Sequence, residues 1–327
     1  MIFSVDRICI RRRALIPCCA KTQYCILTMK KNNLMQRIYR GRMGYLFIAP
    51  LMIGLLMFSY YPAFSGLYHS FFDWDNVGTA TFIGLDNFKE LFSDQVFLAS
   101  IGTMVKIQLP CLIIGVAVPL IMAELIFNVT STRMQYWYRI LVLLPMVAPG
   151  VVGTLIWRFI YDPNNGLMTA LMQTLGILKD GQVIDWLGDP NYVIFSIIFM
   201  GFPWIGGTSV LIYMSGLMNI PSSLIESSVL DGAGTFTRIF KIDLPMIVGQ
   251  IRYFVIMGII GALQSYSTQI ILTEGGPGYT TMVPGYYMYT QAFYAGRMGY
   301  ACAIGTVMFV AIFIFTAFTY KYTQNKD

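Results

Sequence analysis

The sequence predicts an all-α membrane protein with six transmembrane helices, on three observations. Hydrophobic residues make up 56% of the chain and charged residues only 12%, against about 25% charged in an average soluble domain. Six apolar runs reach the roughly 20 residues a helix needs to cross a hydrocarbon core of about 30 Å. Basic residues gather at the ends of those runs, so a net charge of +6 points to a membrane face rather than to nucleic acid. The runs are long and continuous, whereas barrel strands are short and alternate, so helices are the spanning form.

In chain order, residues 1–43 are expected to form a cytoplasmic N-terminal segment. Its first part, Met1–Thr28, holds Arg11-Arg12-Arg13 but no apolar core long enough for a signal peptide or a span. The stretch Met29-Lys30-Lys31-Asn32-Asn33 reads as a bacterial N-terminus, and translation is expected to start at Met29. The transmembrane domain is placed at 44–320, with spans at Gly44–Leu67, Ala99–Phe127, Ile140–Ile160, Tyr192–Leu217, Ile247–Leu272 and Tyr300–Tyr320. A tail, 321–327, follows. With the N-terminus inside, inner segments carry 17 Lys and Arg and outer segments five; without the first 28 residues the balance is 12 to five, so both termini are expected to be cytoplasmic. The two large outer loops, around Asp73–Asp94 and Tyr161–Pro190, mix turn residues with short amphipathic stretches and are expected to form small caps.

Several chemistries lack the residues they need. The six cysteines contain no C-x-x-C pair and four fall in the first 25 residues, so neither a metal site nor a disulfide framework is expected. His69 is the only histidine, which leaves little material for histidine-based catalysis, and no catalytic residue is assigned. Glu124 stands near the inner end of the second span, where snorkelling to the interface would suffice.

One polar segment interrupts the apolar pattern between the fourth and fifth spans: SSLIESSVLDGAGTFTRIFKIDLPMI, Ser222–Ile247. Ser223-x-x-Glu226 fits a capping box, Leu224–Leu230 can make two helical turns, and Gly232-Ala233-Gly234 permits a sharp bend. Thr235–Lys241 can form a second short helix, and Pro245 suits the first turn of the fifth span. On these grounds alone an ordinary amphipathic surface helix explains the segment equally well.

The spacing goes further. The segment resembles the cytoplasmic EAA loop of permease subunits of bacterial ABC importers, the binding-protein-dependent inner-membrane component family: E-A-A, three residues, G, nine residues, I-x-L-P. Here Glu226-Ser227-Ser228, Gly232 and Ile242-Asp243-Leu244-Pro245 stand at that spacing, and Asp231-Gly232-Ala233 matches the D-G-A form of the sugar-transporting branch. Ser227 and Ser228 depart from the two alanines but stay small. A second stretch, Leu272–Ile304, resembles the T-x-G-G-P…G-x-G-x-A-x-A segment between the last two spans of carbohydrate importers, and the first span and outer loop are similar to theirs as well. The resemblance covers about Gly44 to Lys321.

It implies the type I permease fold with a cytoplasmic coupling-helix loop, and ATPase coupling through Glu226, Ser227, Ser228, Asp231, Gly232, Ala233, Ile242, Leu244 and Pro245. It also implies the partners: a second permease subunit, two cytoplasmic ABC ATPase subunits that hold the ATP and Mg, and an extracytoplasmic sugar-binding protein. The chain itself has no G-x-x-x-x-G-K-S/T pattern, so it is expected to hydrolyse no ATP and to hold no cofactor.

Polar residues within spans are costly and therefore candidates for a substrate path. Gln264, Ser267 and Thr268 recur at helical spacing on the fifth span, and Trp204, Thr208 and Tyr213 could line a cavity on the fourth. Helix–helix packing explains the same residues, as Gly206-Gly207 suggests. Two other classes compete with the importer. An ion-driven secondary transporter would favour carboxylates along its path, and a membrane-embedded enzyme would cluster His, Asp, Glu or Cys at membrane depth; the spans hold little of either.

Overall fold

A computed structural model describes residues 42–75, 77–179 and 181–324; the expected start at Met29, most of the N-terminal segment and the last tail residues lie outside the described residues. The chain divides into two units, one ending at Pro62 and one beginning at Ala63. The described part of the first is helix α1, Arg42–Leu55, which continues through a π-helical turn at Leu56–Tyr60. Neither element has a buried residue, which suits a helix whose side chains face lipid or another subunit.

The second unit opens with the end of helix α2, Tyr61–His69, and a short hairpin in which β1 (Phe72–Asp73) pairs antiparallel with β2 (Thr81–Phe82), Phe72 opposite Phe82. Helix α3, Asp86–Ser93, leads into α4, Gln95–Phe127, which has 33 residues and is about 50 Å long at 1.5 Å per residue. Two cores sit at opposite ends of α4. At its start, Phe97 and Met104 pack with Leu91, Tyr286, Tyr287, Tyr300 and Ile304; at its end, Ala123 and Ile126 pack with Val142, Val210, Tyr213, Leu217 and Ile247.

The remaining helices are α5 (Thr132–Leu143), α6 (Gly150–Ile160), α7 (Leu167–Thr174), α8 (Val193–Phe199), α9 (Gly207–Met218), α10 (Ser222–Leu230), α11 (Thr235–Arg238), α12 (Leu244–Met246), α13 (Val248–Gln264), α14 (Ser267–Leu272), α15 (Pro284–Phe293) and α16 (Met298–Gln324). Among the described residues, three helices are long and apolar enough to cross a membrane, or up to six if each bent pair is one span. The first, second and sixth expected spans correspond to the uninterrupted segments Arg42–His69, Gln95–Phe127 and Met298–Thr319.

The three middle spans were expected as single helices and are broken. Thr132–Val147 meets Gly150–Ile160 at 83°; Pro149 forces Ala148 into extended backbone (φ −74°, ψ 134°) and supplies no N–H to continue the ladder. In the Tyr192–Leu217 stretch, helix stops at Phe199 and resumes at Gly207, around Pro203 and the two glycines Gly206 and Gly207. In the Ile247–Leu272 stretch, α13 ends at Gln264 because Ser265 is extended (φ −74°, ψ 125°) and Tyr266 leaves the helical region.

The loops carry caps of their own, as expected. Tyr161, Met168 and Trp186 form a small core beneath α7, and the Trp186 indole N–H donates to Thr169 at 3.0 Å. Gly299 lets α16 start against the hairpin: a Cβ there would lie 2.0 Å from the Phe72 carbonyl oxygen, and its N–H donates to Trp74 O.

Candidate functional site

The polar segment folds as two short helices about a glycine. Helix α10 ends in a complete Schellman closure: the Ala233 N–H reaches the Ser228 carbonyl at 2.9 Å and the Gly232 N–H reaches Val229 at 3.0 Å. Gly232 sits at φ +74°, a conformation that costs an L-residue about 1–2 kcal/mol. This gives each letter of Asp231-Gly232-Ala233 a place, as the last helical cap, the left-handed residue and the closing donor. A second short helix and a π-helical turn, Ile239–Asp243, follow.

The capping box does not form. With Pro221 as its N-cap, α10 starts two residues earlier than expected, so Ser223 lies inside the first turn and no side chain caps the helix. The Ser223 carbonyl instead accepts from the Ser227 hydroxyl at 2.7 Å, and Glu226 is exposed. Of the two serines at alanine positions, Ser227 is exposed and Ser228 is buried, its hydroxyl donating to Ile225 O at 2.6 Å. Asp231 and Pro245 are exposed; Ala233, Ile242 and Leu244 are half-buried, and Ile242 packs on the core at the end of α4. The bend also presents apolar side chains to the outside, Leu230 at 88% and Phe236 at 79% exposure. Glu226, Asp231 and this apolar tip make an exposed surface with two carboxylates.

Beneath the tip the loop is tied to α4. Arg238 Nε donates to Asp243 Oδ2 at 3.1 Å, with 15% and 0% of the two side chains exposed. The same guanidinium donates through Nη2 to Asn128 Oδ1, just past the end of α4, and lies 6.0 Å over the Phe127 ring. Asn128 Nδ2 in turn donates to the Glu124 carbonyl at 2.8 Å. Glu124, expected to snorkel, is 6% exposed. Glu124 Oε1 and Asp243 Oδ1 have no hydrogen-bond partner among the described residues. Removing one member of a buried ion pair of this kind typically costs about 3–5 kcal/mol. Sequence reading did not assemble this cluster; the available signal was a carboxylate, Asp243, inside the apolar frame Ile242–Pro245.

The substrate-path candidates scatter. Gln264 ends α13 while Ser267 and Thr268 begin α14, so the backbone break removes the shared helical face that the spacing predicted. Trp204 has φ +56° and uses its indole N–H on Ile198 O at 3.0 Å. Thr208 is exposed with its hydroxyl directed to Met146 Sδ at 2.9 Å. Tyr213 is fully buried against Phe254, ring centroids 4.8 Å apart, and its hydroxyl has no partner among the described residues. A cleft of about 340 Å³ opens elsewhere between α4, α9 and α13, lined by Gln108, Cys111, Ser209 and Phe254 with small residues such as Gly115 and Gly258. None of the six candidates lines it, and Gln108 was not singled out because one amide in an apolar run carries no periodic signal. Gln269, beside Thr268, is 0% exposed with both amide atoms unpartnered among the described residues.

At the other end of α4, Asp94 caps the helix through Oδ1, which accepts from Val96 N–H at 2.8 Å and Phe97 N–H at 3.3 Å. Burial pushes this carboxyl up, but hydrogen bonds from Tyr287, Tyr300 and the two backbone N–H groups outweigh it, and its pKa lies below the ordinary 3.8.

Comparison with known proteins matches this architecture. Residues 109–326 match the family described as binding-protein-dependent transport system inner membrane component. The chain is 33% identical over 267 residues to the probable ABC transporter permease protein YurN of Bacillus subtilis (strain 168), covering 81% of this chain and 90% of that one. It is 28% identical over 294 residues to the sn-glycerol-3-phosphate transport system permease protein UgpA of Escherichia coli O157:H7, covering 88% and 97%. In fold it is similar to a chain of a bacterial ABC transporter involved in the import of the acidic polysaccharide alginate, with a TM-score of 0.78, 23% identity, and 90% and 99% of the two chains covered. The chain therefore belongs to the binding-protein-dependent transport system inner membrane components, the multi-pass permease subunits of ABC importers.

Proposed function

We propose that this permease subunit carries a sugar, oligosaccharide or related solute inward across the bacterial cytoplasmic membrane, with both termini and the Ser222–Ile247 loop on the cytoplasmic side. The observation that supports it most is the loop itself: an exposed carboxylate, Glu226, beside the apolar tip of Leu230 and Phe236, hinged at Gly232. Two cytoplasmic ATPase subunits bind the ATP and Mg, and one of them seats on that tip. A second permease subunit completes the path, and an extracytoplasmic binding protein delivers the solute. The carbohydrate class draws on the relatives, one named for sn-glycerol-3-phosphate and one for alginate. Six spans follow if each broken stretch crosses once.

The coupling residues are Glu226, Ser227, Ser228, Asp231, Gly232, Ala233, Ile242, Leu244 and Pro245, in two roles. Glu226, Asp231 and the tip meet the ATPase, while Ser228, Ile242 and Leu244 seat the loop on the core. An ion-driven mechanism has little to work with, since Glu124 and Asp243 are the buried carboxylates among the described residues and both lie in the cluster beneath the loop. Uptake of labelled sugars tests the reading: it should stop when the partner ATPase is made hydrolysis-dead, and uptake that continues on an ion gradient alone would refute it.

A further inference from the structure

We infer that the buried cluster of Arg238, Asp243 and Asn128 is a transmission joint, which passes displacement of the loop to α4 and through α4 to the cleft at Cys111. The inference rests on the permease reading above but assigns a different role from docking. The loop has two functional halves. Its outer half, Ser222–Leu230 with the Gly232 bend, meets the partner; its inner half, Arg238–Asp243, grips a helix of its own chain.

The geometry favours a joint over mere packing. Arg238 has one guanidinium and divides it between two elements: Nε binds Asp243 within the loop, and Nη2 binds Asn128 at the end of α4. A fork of planar donors held at 15% exposure transmits direction as well as force, because each N–H bond is weakened by rotation. Asn128 is not loose: its N–H and Nδ2 donate to the Glu124 carbonyl, fixing it to the last turn of α4. Gln135 of α5 holds the same corner, donating to Phe127 O at 3.2 Å and Val129 O at 2.8 Å. A pull on Arg238 therefore reaches backbone carbonyls of α4 through two hydrogen bonds.

From Asn128, α4 runs back as one helix to Cys111, past Pro119, which supplies no N–H to the ladder; Cys111 is half-buried and lines the cleft with Gln108 and Phe254. Pro119 removes one rung of the ladder without ending α4, so displacement at Asn128 is carried past it to Cys111 by the rest of the helix. Farther along the chain from Asp243, α13 also borders the cleft, through Phe254 and Gly258. A Cβ at Gly258 would lie 2.3 Å from Leu112 Cδ1, so α4 and α13 touch there and displacement of one changes the cleft wall.

The test uses the full chain in membrane vesicles with the ATPase subunits that co-purify with it, in a Cys302→Ser background. The rate of Cys111 modification by N-ethylmaleimide, read by peptide mass mapping, is compared with and without ATP–Mg–vanadate. Wild type should show a change of threefold or more. Asn128→Ala, which removes the acceptor at α4 and leaves the Arg238–Asp243 pair intact, should keep the ATPase subunits at wild-type stoichiometry but reduce that change to less than 1.5-fold. Arg238→Lys, which keeps the charge but not the fork, should do the same. A full vanadate-dependent change in both variants would overturn the joint, as would loss of the ATPase subunits or of membrane insertion in Asn128→Ala, since those outcomes assign the cluster to docking or folding. Failure of the permease reading looks different: wild type itself would retain no ATPase subunit and show no response to ATP–Mg–vanadate.

Discussion

Tyr287 donates its hydroxyl hydrogen to Asp94 Oδ2 at 2.5 Å, joining residues 193 positions apart, and Tyr300 donates to the same oxygen at 2.8 Å. Asp94 thereby fastens the start of α4 to α15 and α16 while capping α4 with its other oxygen. Asp94→Asn keeps the cap but replaces a charged acceptor with a neutral one, and hydrogen bonds to charged groups contribute about 1.5–3 kcal/mol each. A loss of thermal stability in detergent is expected. Glu90→Gln, which breaks the Arg297 pair at 2.6 Å, should be nearly silent, because both side chains are more than 40% exposed and such pairs contribute at most about 1 kcal/mol.

The same carboxylate sets a pH dependence. Its folded pKa is depressed below 3.8, so its contribution to stability is full above that value and is lost as pH falls through the lower, folded value. Melting curves in detergent should therefore show an acid-side decline for wild type that is smaller for Asp94→Asn, and parallel declines would refute this account.

How much of this the sequence discloses depends on the range of the interaction. Apolar runs and the glycine hinge are local signals, and the loop at Ser222–Ile247 folds nearly as its spacing suggests. A hydropathy run sums over the helix breaks at Ala148-Pro149 and Ser265-Tyr266 and hides them, because one proline or one polar tetrapeptide is enough to create each. Asp94 with Tyr287, and Asn128 with Arg238, pair across 193 and 110 positions, and nothing in one sequence marks two distant polar residues as partners.

Tyr213 separates core from path. Its hydroxyl is buried without a partner among the described residues, and deleting an unsatisfied polar group is typically neutral or stabilising. Tyr213→Phe should leave stability and labelled-sugar uptake unchanged if the residue only fills the core. A drop in uptake with unchanged melting would return it to the path. Gln108→Leu, on the cleft wall, should by contrast lower uptake or alter which sugars are taken up, and wild-type uptake across several sugars would remove Gln108 from the path.

Topology gives an independent check on the six-span reading. Reporters fused after Asp94, Gly181 and Gly285 should behave as external, and those after Thr132, Thr235 and Asp327 as cytoplasmic. A single reversed pair would show that one of the broken stretches is re-entrant rather than spanning.

The loop yields the sharpest contrast, because backbone strain and contact chemistry act there on separate residues. Gly232 has open space where a Cβ would go and is required for its φ of +74°, so Gly232→Ala carries strain of about 1–2 kcal/mol and no clash. Asn tolerates that conformation better than Ala, so Gly232→Asn should keep more transport than Gly232→Ala, and Gly232→Val should keep least. Glu226→Lys leaves the backbone alone and reverses the charge of the exposed carboxylate. All four variants should reach the membrane at normal abundance, since on the proposed reading the loop lies on the cytoplasmic side, outside the bilayer. Glu226→Lys and Gly232→Val should lose uptake and retain less of the ATPase on co-purification. If the order among the Gly232 variants followed side-chain volume instead of left-handed tolerance, the bend would be a packing contact with the partner rather than a conformational hinge.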